Sequence, residues 1–108
     1  MAVKPNPSRE AVRAVVPRMI ELSETVIYGD IWERPGLSKR DRSLMVVAAL
    51  IASYRPEQLK GHLGRALDNG VTKEELVEVI THATFYSGWP TGVQGAVIAK
   101  KVFESRGL

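Results

Sequence analysis

Two histidines, His62 and His82, are the groups in this 108-residue chain best suited to moving a proton near neutral pH, because an unperturbed imidazole titrates there. His82 has Glu78 four residues before it and Phe85 and Tyr86 in the turn that follows. On a helix that spacing puts the carboxylate and the imidazole on neighbouring faces, where Glu78 would set the tautomer of the ring or favour its protonated form. The same pattern suits a partly buried histidine bonded to a backbone carbonyl. His62 follows Leu59 by three and precedes Ala66 by four, at the edge of an apolar helix face. It is either a second donor or acid, or a satisfied histidine at the rim of the core between its helix and the next. The pair lacks local ligand spacing and a supported third ligand, so no metal site is expected.

Arg34, Arg40 and Arg42 are the candidates for holding a small anion. Arg42 leads, because it immediately precedes the most apolar stretch of the chain; a salt bridge between helices or subunits suits it equally. Arg34 would serve from a loop, and Arg40 reads as solvated. Glu33 is either a proton carrier or a surface charge. Trp32, Tyr86 and Trp89 would wall a pocket or pack between subunits, where aromatic residues are also enriched.

Composition narrows the choice. There is no cysteine, which removes disulfides, thiolate metal sites and thiol nucleophiles. The net charge is +3 with both signs interspersed, so no nucleic-acid partner is expected. Leu44–Ala52, the longest apolar run, is far short of the ~20 residues of a membrane span. Met1–Ser8 has no apolar signal core, and a soluble, cytoplasmic protein is expected. The length fits one domain over 1–108. Such a chain buries only about two-thirds of its unfolded surface, so assembly would stabilise it.

The elements that must position these residues read as helices. After a lead-in frayed by prolines over 1–7, Ser8 caps a first helix that runs to about Tyr28, kinked or split at Pro17. Gly29–Leu37 is a loop punctuated by Pro35-Gly36. Ser38, with Asp41 three residues on, opens a second helix. Its Leu44–Ala52 segment is apolar on every face and therefore expected to be covered on all sides, in part by other subunits. Glu57–Asn69 is a third helix, stopped at Asn69-Gly70. Thr72 to Glu75 forms a capping box for a fourth, which ends at Gly88-Trp89-Pro90. The last runs to about Ser105, with Gly92, Gly95, Ala96 and Ala99 allowing close approach. No strand alternation is present, and the fold class is all-α, a bundle of about five helices.

The run Tyr28-Gly-Asp-Ile-Trp-Glu-Arg-Pro-Gly-Leu37, then Arg42-Ser-Leu44, His62, Asn69-Gly-Val-Thr-Lys-Glu-Glu75, and His82 followed by Tyr86-Ser-Gly-Trp-Pro90 resembles the carboxymuconolactone decarboxylase family, from about Tyr28 to Phe103. The resemblance implies an alkylhydroperoxidase-like all-α subunit that assembles into ring-like homo-oligomers, trimers or hexamers. One branch of that superfamily uses a Cys-x-x-Cys pair, whose place falls near Arg55 to Gln58; with no cysteine here, peroxidase activity is excluded. The other branch converts 4-carboxymuconolactone to an enol-lactone and CO2 without cofactor. By that resemblance the chain is a lyase of aromatic catabolism acting on a small anionic lactone. His82 would be the acid that protonates the enolate, His62 a donor to it or an alternative acid, and Arg42 and Arg34 would hold carboxylates. Trp32, Tyr86 and Trp89 would line the pocket, at or near a subunit interface. An isomerase, a lactone hydrolase and a non-catalytic oligomeric scaffold remain the alternatives.

Overall fold

The computed structural model describes residues 7–108. The chain divides into two helical units at Leu37, the second being Ser38–Leu108.

In the first unit, α1 (Pro7–Val15) and α2 (Pro17–Leu22) are separated by Val16, at φ −132° and ψ 68°. Pro17 causes the break: its ring excludes the helical conformation for the residue before it. The same residue type opens each helix, since a missing N–H costs nothing in the first turn. The lead-in expected over 1–7 lies outside the described residues except for Pro7. Because Pro7 already starts α1, Ser8 is in the first turn and not its cap. The first helical stretch also differs from expectation beyond Leu22, where a wider π-helical turn, Ser23–Ile27, replaces α-helix. The Tyr28 N–H reaches back to the Ser23 carbonyl at 2.9 Å. Gly29 is required there, as a Cβ would stand 2.7 Å from the Glu24 and Thr25 carbonyl oxygens. A 3-10 turn, Ile31–Glu33, follows. Trp32 within it is buried and stacks on Tyr28, with ring centroids 6.1 Å apart.

The second unit contains α3 (Lys39–Ala52), α4 (Pro56–Asp68), α5 (Lys73–Ser87) and α6 (Trp89–Ser105). Helix α3 packs on the other three, and α6 packs on α4 and α5. Val47 and Ile51 of α3, Leu59 and Leu63 of α4, Leu76 and Ile80 of α5, and Val102 and Phe103 of α6 meet in one core. Each such side chain contributes roughly 1.5–3 kcal/mol by leaving water. Six α-helices thus stand where about five were expected, the extra one from the Pro17 break, and no strand occurs among the described residues.

Local signals set the ends. The Ser38 hydroxyl accepts from the Asp41 N–H at 3.0 Å, but the shorter Asp41 side chain does not complete a box. Thr72 and Glu75 do form the reciprocal box, at 3.1 and 3.0 Å. At the end of α4, Gly70 takes φ 96°, and the Val71 N–H bonds the Ala66 carbonyl at 2.9 Å. That is the paired C-terminal turn for which glycine is favoured.

The expectation for α3 is cover on all sides, in part by other subunits, and the chain alone supplies part of that cover. Ser43, Val47 and Ile51 are buried, while Met45 is 67% exposed and Ala49 and Ala52 are also open. Of the small residues in α6, Gly92, Gly95 and Ala99 are buried, but Ala96 faces solvent. Gly92 carries the closest approach, since a Cβ there would be 1.9 Å from the Thr84 Oγ1 of α5.

Candidate functional site

A groove of about 580 Å³ opens between α3 and α5, both in the second unit. Three rows of residues, each at helical i, i+4, i+8 spacing, line it. Leu44, Ala48 and Ala52 come from α3, while Val79, Ala83 and Ser87 come from α5. Glu78, His82 and Tyr86 form the third row, also on α5. The space exists because alanines stand at Ala48, Ala52 and Ala83, where larger side chains would close it. One wall is therefore apolar and the other carries a carboxylate, an imidazole, a phenol and a hydroxyl.

The imidazole of His82 is exposed and packs against Tyr86, with ring centroids 4.9 Å apart and planes tilted by 37°. Glu78 was expected to orient that ring. Among the described residues no hydrogen bond or ion pair joins them, and the ring instead leans on the aromatic neighbour one turn later. Ser87 closes the end of the groove, its Oγ donating to the Ala83 carbonyl at 2.8 Å or sharing a proton with Thr91 Oγ1 at 2.7 Å.

The other candidates are placed elsewhere. His62 is half-buried on α4, which packs on α3 and α6. It is not part of the groove lining. Burial, and secondarily the charge of Arg65, push its pKa down to about 4. At neutral pH His62 is an uncharged imidazole, able to donate an N–H but not to act as an imidazolium acid. Arg42 lies in the first turn of α3, two residues before Leu44 and so about 200° around the helix from the groove row. It is half-buried and does not line the groove. Arg40, expected to be solvated, is held in an ion pair with Glu75 and also approaches Asp41 at 3.3 Å. Arg34 and Trp32 belong to the first unit. Trp89 opens α6 and meets Phe85 edge-on at 6.0 Å.

The site thus gathers Glu78, His82 and Tyr86 as their four-residue spacing required. It leaves out His62, Arg42 and Trp89. It adds Leu44, Ala48, Ala52, Val79, Ala83 and Ser87, for which the available signal was alanine recurring at the same helical spacing. Among the described residues no group of three or more His, Asp or Glu side chains is arranged to hold a metal ion. No described helix is long and apolar enough to cross a membrane.

Residues 17–101 match the model of the carboxymuconolactone decarboxylase family. Over 81 residues the chain is 41% identical to the 4-carboxymuconolactone decarboxylase of Acinetobacter baylyi, covering 75% of this chain and 60% of that protein. It is 33% identical, also over 81 residues, to the nitrosuccinic acid decarboxylase npaB of Metarhizium robertsii, covering 75% and 57% respectively. An uncharacterized 15.0 kDa protein of Paracoccus denitrificans is 26% identical over 95 residues, covering 86% and 71%. The chain spans about three-fifths of the length of the two named decarboxylases.

Proposed function

The chain belongs to the carboxymuconolactone decarboxylase family, and on that footing we propose that it is a cofactor-independent carboxy-lyase for a small carboxylated lactone such as 4-carboxymuconolactone. The observation that carries this reading is the row Glu78–His82–Tyr86 laid along an apolar groove. The proposal extends to a homo-oligomer, supported by the large apolar side chains that α3, α5 and α6 leave in solvent.

The chemistry needs little from the protein. When the bond to the carboxylate breaks, its electron pair moves onto the adjacent carbon and into the conjugated lactone carbonyl, giving an enolate and neutral CO2. The substrate is its own electron sink. The protein must hold the carboxylate, favour the enolate oxygen with hydrogen-bond donors and return one proton to carbon. Of the groove side chains the imidazole of His82 is the one suited to hand a proton to carbon. Its protonated ring would attract the substrate anion and then hand over the proton. The apolar row Leu44–Ala48–Ala52 would take the flat face of the ring. Glu78 repels a carboxylate, so the leaving group would be oriented away from it, toward the Tyr86 end.

The test is CO2 release together with the ultraviolet spectrum of 4-carboxymuconolactone, with chelator present. Turnover by the parent and a loss of at least ~100-fold in His82→Ala is the expected result, the usual scale for removing a general acid. Helix content should be unchanged, because the side chain is exposed. A spectral change without CO2 would instead indicate isomerisation, and no change at all would reject this substrate.

A further inference from the structure

We infer that Tyr86 is the residue that positions the His82 imidazole, through its ring and not its hydroxyl. The inference rests on His82 being the proton donor of the groove. Three observations lead to it. The sequence offers His82 two neighbours at one helical turn, Glu78 before it and Tyr86 after it. Only Tyr86 is in contact, at 4.9 Å between centroids with a 37° tilt, inside the range at which aromatic pairs attract. And His82 is exposed, with no hydrogen bond to either ring nitrogen among the described residues to fix its side-chain angles. An exposed imidazole on a helix otherwise explores several rotamers. A proton transfer to carbon requires one of them.

Tyr86 itself is 81% exposed. It packs against the histidine and lines the groove beside it. Its substitution therefore leaves the core intact and isolates the effect on His82.

Two substitutions separate the ring from the hydroxyl. Tyr86→Phe keeps the ring and, as the conservative variant, should restore most of the kcat and all of the His82 ring geometry that Tyr86→Leu loses. Tyr86→Leu removes it and should lower kcat by about tenfold with KM little changed, as expected when orientation and not binding is lost. A readout independent of turnover is the proton NMR signal of the His82 ring, assigned by its disappearance in His82→Gln. A stacked aromatic ring displaces that signal upfield. The displacement should persist in Tyr86→Phe and vanish in Tyr86→Leu. If the signal does not move in Tyr86→Leu, the stack does not exist in solution and the inference fails. If the signal behaves as expected but Tyr86→Phe loses activity like Tyr86→Leu, the hydroxyl is the working group and Tyr86 is a donor. If the parent turns over no lactone, the proposed reaction falls, and the NMR comparison alone still decides whether Tyr86 holds His82.

Discussion

Proton transfer near neutral pH depends on which imidazole can carry the charge, and His62 is not suited to it. His62 is half-buried on α4 and its pKa is pushed down to about 4, first by burial and then by Arg65. Its ordinary value is 6.5. Between these values the unfolded chain binds a proton at His62 that the folded chain does not, so folding stability must decline as pH falls through that window. Above it both states are neutral there, and below it both are protonated. Denaturant unfolding measured at several pH values between 4 and 7 should show this decline, and His62→Gln should flatten it. An identical pH profile in the variant would mean that another group is responsible. Because His62 lies outside the groove, the same variant should retain turnover at neutral pH, in contrast with His82→Ala.

At the scale of elements, the groove is a consequence of where alanines fall. Ala52 is the last residue of α3 and is open to solvent within the groove. Ala52→Leu should raise KM by about tenfold, the effect of a misplaced aliphatic group in a binding pocket, with the melting temperature unchanged. A KM equal to the parent's would show that substrate does not use the α3 wall. The contact of α5 with α6 is tighter. A methyl group at Gly92 would collide with Thr84, so Gly92→Ala should cost about 1–3 kcal/mol in chemical denaturation. Combining it with Thr84→Ala, which removes the colliding hydroxyl, should recover part of that loss. What could be read from the sequence follows the same division. Pro17, Asn69-Gly70 and the Thr72–Glu75 box act within one turn of chain, so the helix ends they set were legible. The π-helical turn after Leu22 was not, because nothing in Ser23–Ile27 forbids ordinary α-helix. The pairing of His82 with Tyr86 and not Glu78 was half legible: both are one turn away, and rotamers decide between them. The direction in which Arg42 points was not legible for a different reason. Its closeness in sequence to the apolar segment says nothing about direction, and two residues along a helix turn a side chain to the other side.

For the whole molecule, the large apolar side chains left in solvent decide the expectation. Along the outside of α6, Trp89, Val93 and Val97 form a stripe at i, i+4, i+8 spacing, with Phe85 set against Trp89. They are 65%, 50%, 53% and 75% exposed, respectively. Met45 on α3 is likewise open. A soluble monomer rarely presents so much apolar surface without a use for it. A second copy of the chain would cover such a stripe at no electrostatic cost, since none of its members is charged. Light scattering on the size-exclusion peak should therefore give a mass that is a multiple of the 11.9 kDa subunit. The double substitution Val93→Glu and Val97→Glu would place two carboxylates on each copy of the stripe. Like charges opposed across an interface disfavour it strongly, so this variant should elute as a single subunit while keeping its helical circular dichroism. A parent that is already a single subunit would remove the assembly. A charged variant that keeps the parent mass would move the interface to another face, with Met45→Glu as the next substitution to measure.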